Sequence, residues 1–341
     1  MEFTQWRFKQ LQGLHVLREP PALRILVLDI SEVCNFNCQY CYGQAESFRG
    51  HEGRRLDRQD YFQLIKEAKD FGVQTIWFLG SRENTLSPNY LQLLAEIQLL
   101  GLYSVTFTNG AAFGDDSIAN KVFGLSAKQV CLAVAAHPGS SVVLKCDSLT
   151  AEVQNRLAGN ENAYVQIKKA IENFLCTSLW SVGNSGFNRF GLNSVLTKVN
   201  YRDVATVFRF AMENHLAYFC DALLMSGSAK DSLSLTPEQR KVTLADFSSV
   251  LTDYGINIAP KSMVNFYDQP CILFSNFIFV TPFGNVVPCA GFPEKEAVLG
   301  SVSEGLAVLW SRKKAQIAKY QTCLANHDKC PCRVHLEDGL F

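Results

Sequence analysis

The sequence predicts an α/β protein built on a parallel sheet, followed by a smaller cysteine-rich region. Two observations carry this. Strand-sized apolar runs alternate with segments of helical periodicity from residue 24 to residue 235, and cysteine density rises again after residue 236. Between them, the small and polar stretch from Ser226 to Glu238 is the best boundary, giving an N-terminal extension (1–23), a main domain (24–235) and a C-terminal domain (236–341).

The elements follow in order. Arg24 to Ile30 is an apolar, β-branched run that stops just short of a cysteine cluster, as a buried strand does, so the cysteines fall on a loop after it. Asp60 to Asp70 carries Phe62, Leu64, Ile65 and Ala68 at near-helical spacing, with Gly72 as a C-cap. Val73 to Leu79 is the second strand. A helix around Tyr90 to Leu100 leads to a strand at Tyr103 to Thr108, and a strand at Val142 to Lys145 precedes a helix around Ala163 to Leu175. Phe190 to Leu196 and Leu216 to Leu224 supply two more strands around the helix Val204 to Asn214. About six βα units fit before residue 235. Ala111 to Ser140, with Gly114, Asp115, Asp116 and the Pro138-Gly139 pair, reads as an irregular but packed excursion.

Composition narrows the function classes. Of 341 residues, 48% are apolar and 19% charged, which suits a folded globular chain. Lys plus Arg equal Asp plus Glu at 32 each, so no basic field gathers nucleic-acid phosphates. The longest apolar runs, such as Leu23 to Leu28, fall short of a membrane span. The first residues, with Glu2, Thr4, Gln5 and Arg7, lack the apolar core of a secretory signal, and a cytoplasmic location is expected. Twelve cysteines in a reducing compartment then point to metal ligation rather than to disulfides.

Cys34-Asn-Phe-Asn-Cys38-Gln-Tyr-Cys41 sets three thiolates within eight residues of one loop. Soft thiolates hold iron–sulfur cubanes, and three of them leave one iron open to a ligand from substrate or cofactor. A structural zinc site is the alternative for cysteines at short spacing, although no fourth ligand stands nearby in sequence.

This Cys-x3-Cys-x2-Cys run, with aromatic Tyr40 before the third cysteine, resembles the signature of the radical S-adenosylmethionine (SAM) superfamily. The resemblance implies a partial six-stranded (β/α)6 parallel barrel over residues 24–235. It also implies a catalytic [4Fe-4S] cluster on Cys34, Cys38 and Cys41 whose open iron chelates SAM, and reductive cleavage of SAM to a hydrogen-abstracting 5′-deoxyadenosyl radical. Gly80-Ser81-Arg82-Glu83-Asn84 resembles the family's Gly-Gly-Glu-like motif, so Gly80 and Glu83 are carried over as SAM contacts; Arg82 departs from the pattern where a glycine is common. Thr108 and Asn109 end the third strand where polar groups approach SAM, with an ordinary Asn-Gly turn as the other reading. Lys145 and the pair Asp147-Ser148 after the fourth strand, and Asn193 on the fifth, lie on the face where a parallel barrel gathers its site residues.

In the C-terminal part, Cys271 and Cys289 flank an apolar run and Gly284, a glycine suited to a hairpin turn that brings the two thiols together. Cys323, Cys330 and Cys332 follow a helix-like stretch with Leu306, Leu309 and Trp310. The Cys-x12-Gly-x4-Cys element resembles the opening of SPASM and twitch domains, which implies one auxiliary [4Fe-4S] cluster on Cys271, Cys289 and two of the last three. A zinc ribbon is the alternative. Cys131, Cys146, Cys176 and Cys220 read as small buried apolar residues, although Cys146 and Cys220, at strand ends, are also candidate hydrogen donors to a substrate radical.

The resemblance implies a modification enzyme that oxidises, epimerises or cross-links a small polar natural-product precursor or a peptide, served by a flavodoxin- or ferredoxin-type reductant. An iron–sulfur electron relay and a zinc-bound scaffold, neither with SAM chemistry, are the competing classes.

Overall fold

A computed structural model of the protein describes residues 11–17, 21–44, 54–177, 186–225, 227–264, 274–289 and 298–324. Its centre is one nine-stranded sheet in the order β6-β5-β4-β3-β2-β1-β7-β8-β9. The chain lays down β1 (Ile25–Leu28), α1 (Arg58–Phe71), β2 (Thr75–Phe78), α2 (Tyr90–Leu99) and β3 (Tyr103–Thr108). Three short helices follow, α3 (Ala111–Gly114), α4 (Asp116–Phe123) and α5 (Ala127–Ala135), before β4 (Ser140–Lys145). Next come α6 (Ala151–Ala158), α7 (Ala163–Leu175), β5 (Phe190–Leu196), α8 (Val204–Glu213) and β6 (Ala217–Ala222). Helix α9 (Pro237–Asp253), β7 (Phe277–Val280), β8 (Asn285–Val287), β9 (Gly300–Ser301) and α10 (Leu306–Leu324) complete the order.

Strands β1 to β6 are all parallel, forming the expected partial (β/α) barrel. Their central residues are buried on both faces, which is why they read as continuous apolar runs rather than alternating ones. Ala111 to Ser140 is not irregular. It is a helical crossover between β3 and β4, and pieces of four to nine residues are too short to display a helical period in sequence.

The sheet continues across residue 236. β7 pairs in parallel with β1, Leu26 opposite Ile278 and Leu28 opposite Val280, and then turns at Gly284 (φ +78°) into antiparallel β8. Helix α10 packs Leu306, Leu309, Trp310 and Ile317 into the main core. Its Lys313 is fully buried, donating to the Pro288 carbonyl at 2.7 Å with its ammonium 3.2 Å from the centre of the Phe274 ring.

Two apolar layers lie on opposite sides of the sheet. Leu26, Leu28, Ile76, Phe78, Leu144 and Leu192 face the helices. Ile25, Val27, Trp77, Val105, Val143 and Phe219 face the inside of the curve, where residues 11–17 join them through Leu11, Leu14 and Val16. This N-terminal segment closes the lower end of the barrel. The Gly13 carbonyl accepts from Thr75 Oγ1 at 2.9 Å, the Gln12 amide donates to Asn188 at 2.8 Å, and Gln12 Nε2 donates to Pro138 at 2.6 Å. All three partners sit at or before strand starts, leaving the carboxyl ends as the open side.

Gly13 adopts φ +87°, and a Cβ there would stand 2.7 Å from Val105 Cγ2. Gly13→Ala should therefore lower stability by about 1–3 kcal/mol, read from the denaturation midpoint, through left-handed strain and overpacking.

Candidate active site

The loop after β1 carries Cys34, Cys38 and Cys41, and every adjoining loop grips it by the main chain. From the end of α6, Ala158 and Leu157 accept from the amides of Asn37 and Gln39 at 3.0 Å each. Asn160 Nδ2 donates to the Asn35 carbonyl at 2.9 Å. Gly159 permits this approach. It adopts φ +58°, and a Cβ would sit 2.2 Å from the Asn37 oxygen. After β6, Ser228 donates to the Cys41 carbonyl at 2.9 Å, with Gly227 packed on the same turn.

Cys34 is exposed and Cys38 and Cys41 half-buried. Although the residue as a whole is exposed, desolvation of its sulfur by the surrounding protein is the largest influence and, with nearby Glu83 and the other two thiols, pushes the Cys34 thiol up to about 12. Cys38 is pushed up to about 11, again chiefly by burial, with Cys41 and Asp147 adding and Lys145 opposing. The thiols are thus close enough to burden one another's charge. Bound iron relieves that burden, as metal ligation takes the proton's place. Among the described residues, no three His, Cys, Asp or Glu side chains converge tightly enough for a single metal ion. A cubane takes each thiolate on a different iron, and the donor set fits that group.

Three buried carboxylates surround the loop. Glu83 accepts from the Asn109 amide at 2.7 Å, Thr108 Oγ1 at 2.7 Å and Thr85 Oγ1 at 2.7 Å; burial nevertheless raises its carboxyl. Asn109 Nδ2 then reaches Asn35 Oδ1 at 2.9 Å and Cys34 Sγ at 3.7 Å. Glu83, Thr108 and Asn109 therefore form one network behind Cys34. Asp147 is fully buried and accepts from the Tyr40 hydroxyl, the Lys145 ammonium and the Val195 amide (2.9 Å). Burial opposes the Lys145 charge, but Asp147 and Cys38 more than offset it, holding the ammonium above the usual lysine range. Tyr40 and Lys145 are thereby brought together beside Cys38. Asn193, in register with Lys145, donates to Asp221 Oδ2 at 2.9 Å.

Asp29 is the carboxylate that the sequence reading missed. It accepts from the Ser81 amide at 2.7 Å and the Ser81 hydroxyl at 2.8 Å, and burial dominates to push its carboxyl up to about 7. The available signal was a lone acid ending an otherwise apolar strand. Gly80 lies against it and accepts from the Tyr42 hydroxyl at 2.6 Å. Arg82 extends to the Gly43 carbonyl at 2.5 Å, so the departure from the glycine pattern ties down the tail of the cysteine loop.

The remaining candidates lie elsewhere. Cys146 and Cys220 are fully buried in the layer between sheet and helices, Cys146 Sγ lying 3.7 Å from the Ser148 carbonyl, so neither faces the barrel mouth. The outward register of their positions decides this. Ser148 is buried too, its amide donating to Gln154 Oε1 at 3.1 Å and its hydroxyl accepting from the Thr150 amide at 2.9 Å. Cys289 follows β8 and bears, with Asp29 and Cys41, on the buried Tyr42 phenol, which burial holds far above the ordinary tyrosine range. Cys271, Cys330 and Cys332 lie outside the described residues, as does the side chain of Cys323, whose backbone belongs to α10.

A parallel partial barrel carrying three thiols on its first carboxyl-end loop defines the class of iron–sulfur barrel proteins. Residues 28–175 match the family model of the radical SAM superfamily, so the chain carries a radical SAM domain over this stretch. A domain of this family implies a [4Fe-4S] cluster and SAM. The chain is 22% identical over 178 residues to an S-adenosylmethionine-dependent nucleotide dehydratase of Flammeovirga pacifica, covering 50% of this chain and 53% of that protein. Among solved structures, anSMEcpe with bound AdoMet aligns with a TM-score of 0.58 at 19% identity, over 85% of this chain and 80% of that one. Streptococcus suis SuiB bound to precursor peptide SuiA aligns with a TM-score of 0.55 at 15% identity, over 78% and 59%. The chain thus spans about half the length of the dehydratase. These structural likenesses concern the fold. Among the described residues no helix is long and apolar enough to cross a membrane.

Two measurements test the site. Gly159→Ala should cost about 1–2 kcal/mol from the left-handed strain alone and loosen the cysteine loop, seen as a lower melting temperature and faster loss of bound iron. Because Asp29 binds its proton more tightly folded than unfolded, its contribution is greatest below pH 3.8 and is lost as pH rises to about 7. In the cluster-free protein, wild type should therefore lose stability relative to Asp29→Asn between pH 4 and pH 7 and run parallel above it, measured by denaturant titration.

Proposed function

We propose that the chain is a radical SAM enzyme that abstracts a hydrogen atom from a peptide or a small polar natural-product precursor, leading to oxidation, epimerisation or cross-linking. The observation that carries this reading is the three-thiol loop, which supplies three corners of a cubane and leaves the fourth for SAM. A [4Fe-4S] cluster held there would, when reduced, supply one electron to SAM, giving methionine and, after hydrogen abstraction, 5′-deoxyadenosine.

The chain's own residues have distinct parts in this reading. Gly80 and Glu83 shape the loop facing SAM, Thr108 and Asn109 brace Cys34, and Tyr40 with Lys145 closes the side near Cys38. Asn193 lines the inner wall, and Ser148 steadies the loop after β4. The likeness to a protein solved with a precursor peptide supports a peptide substrate. Cys271, Cys289 and two of Cys323, Cys330 and Cys332 would hold an auxiliary [4Fe-4S] cluster, able to accept an electron or anchor the substrate. A flavodoxin- or ferredoxin-type protein delivers the first electron in the cytoplasm.

Anaerobically reconstituted protein given SAM and dithionite should release 5′-deoxyadenosine, and none released would sink the proposal. Replacing Cys34, Cys38 and Cys41 together by Ala should abolish release while leaving about four irons per chain, one cubane. Zinc found without iron or sulfide would refute both clusters.

A further inference from the structure

Asp29 occupies space that any residue but glycine at position 80 would claim. Ile25, Val27 and Asp29 alternate onto the inner face of β1, and Asp29 is fully buried there. A Cβ on Gly80 would lie 2.1 Å from Asp29 Oδ1. The other oxygen takes both hydrogen bonds from Ser81, while Oδ1 itself has no hydrogen-bond partner among the described residues. From the opposite side, Tyr42 holds the Gly80 carbonyl and Arg82 bridges Ser81 and Gly43 at 3.0 and 2.5 Å. Gly43 in turn meets Ser81 backbone to backbone, with room for no side chain. Residues 80 to 82 are pinned between β1 and the tail of the cysteine loop.

We propose that Asp29 is a positioning residue for SAM, setting where the Gly80–Glu83 loop meets it by pinning Ser81 to the end of β1. Arg82 supplies the second arm, keeping the loop in register with Cys41. The carboxylate thus does with hydrogen bonds what a tight glycine turn does with shape, and it fixes the loop before any ligand arrives. This rests on the reading that the Gly80–Glu83 loop contacts SAM.

The test uses the full chain with two readouts: hydrogen exchange across residues 80 to 83 in the cluster-free protein, and SAM affinity of the reconstituted protein from the change in its reduced-cluster EPR spectrum. Asp29→Ala should speed exchange and weaken SAM binding by about tenfold or more, with iron content unchanged. Asp29→Asn keeps an acceptor for Ser81 and should bring both readouts back to within about threefold of wild type. Gly80→Ala should be costly alone and far less so in the Asp29→Ala background, where its collision partner is gone. If Asp29→Ala does not fold, Ser81→Ala removes only the hydroxyl bond and should shift both readouts the same way. Unchanged exchange, or an equal cost of Gly80→Ala in both backgrounds, overturns the pin. Faster exchange with unchanged SAM affinity overturns the loop's assignment to SAM instead.

Discussion

The site depends on backbone meeting backbone. Where the cysteine loop touches its neighbours, at Gly159 against Asn37, Gly43 against Ser81 and Gly227 against Cys41 and Tyr42, there is no room for a Cβ. Such contacts fix a main chain more closely than side-chain packing does, because no rotamer can absorb an error. The thiols of Cys34, Cys38 and Cys41 inherit their spacing from that frame. A loop this constrained also meets a cofactor with little conformational entropy left to lose.

Around the frame, buried charge is distributed with care. Asp147 is matched by Lys145 and Tyr40, Glu83 by hydroxyls and an amide, and Asp29 chiefly by Ser81. The three differ in how completely their hydrogen-bonding capacity is met. Of the three, Asp29 keeps a buried oxygen with no hydrogen-bond partner among the described residues, and it is also the one whose proton is held near neutrality. The best-satisfied carboxylates brace the thiols, and the least satisfied one stands beside the glycine loop.

Much of this was legible in the sequence. The strands beginning at Ile25 and Phe190 and the helices at Tyr90 and Ala163 could be read because apolar runs and helical periods of this length leave a clear pattern. The crossover after Thr108 could not, since its helices run only four to nine residues. Cys146 and Cys220 were legible as strand-end residues, but a period-2 strand puts neighbours on opposite faces, and only the register tells which face is inside. The pairing of β7 with β1 and the tuck of Leu11 and Leu14 beneath the barrel are long-range contacts with no local signature. Arg82 looked like an intrusion because its partner, the Gly43 carbonyl, belongs to a different loop.

β1 is flanked by β2 and β7, yet roughly 250 residues of chain separate its end from the strand that covers its second edge. During synthesis, the strand that bears the cysteine loop is therefore made well before β7 and stays half-covered until β7 has emerged. An apolar strand with an open edge, next to three thiols, is exposed both to faulty pairing and to oxidation over that interval. The order of the sheet thus makes completion of the cysteine site wait on a strand distant in sequence, and it gains from an environment keeping thiols reduced until Phe277–Val280 has emerged and docked.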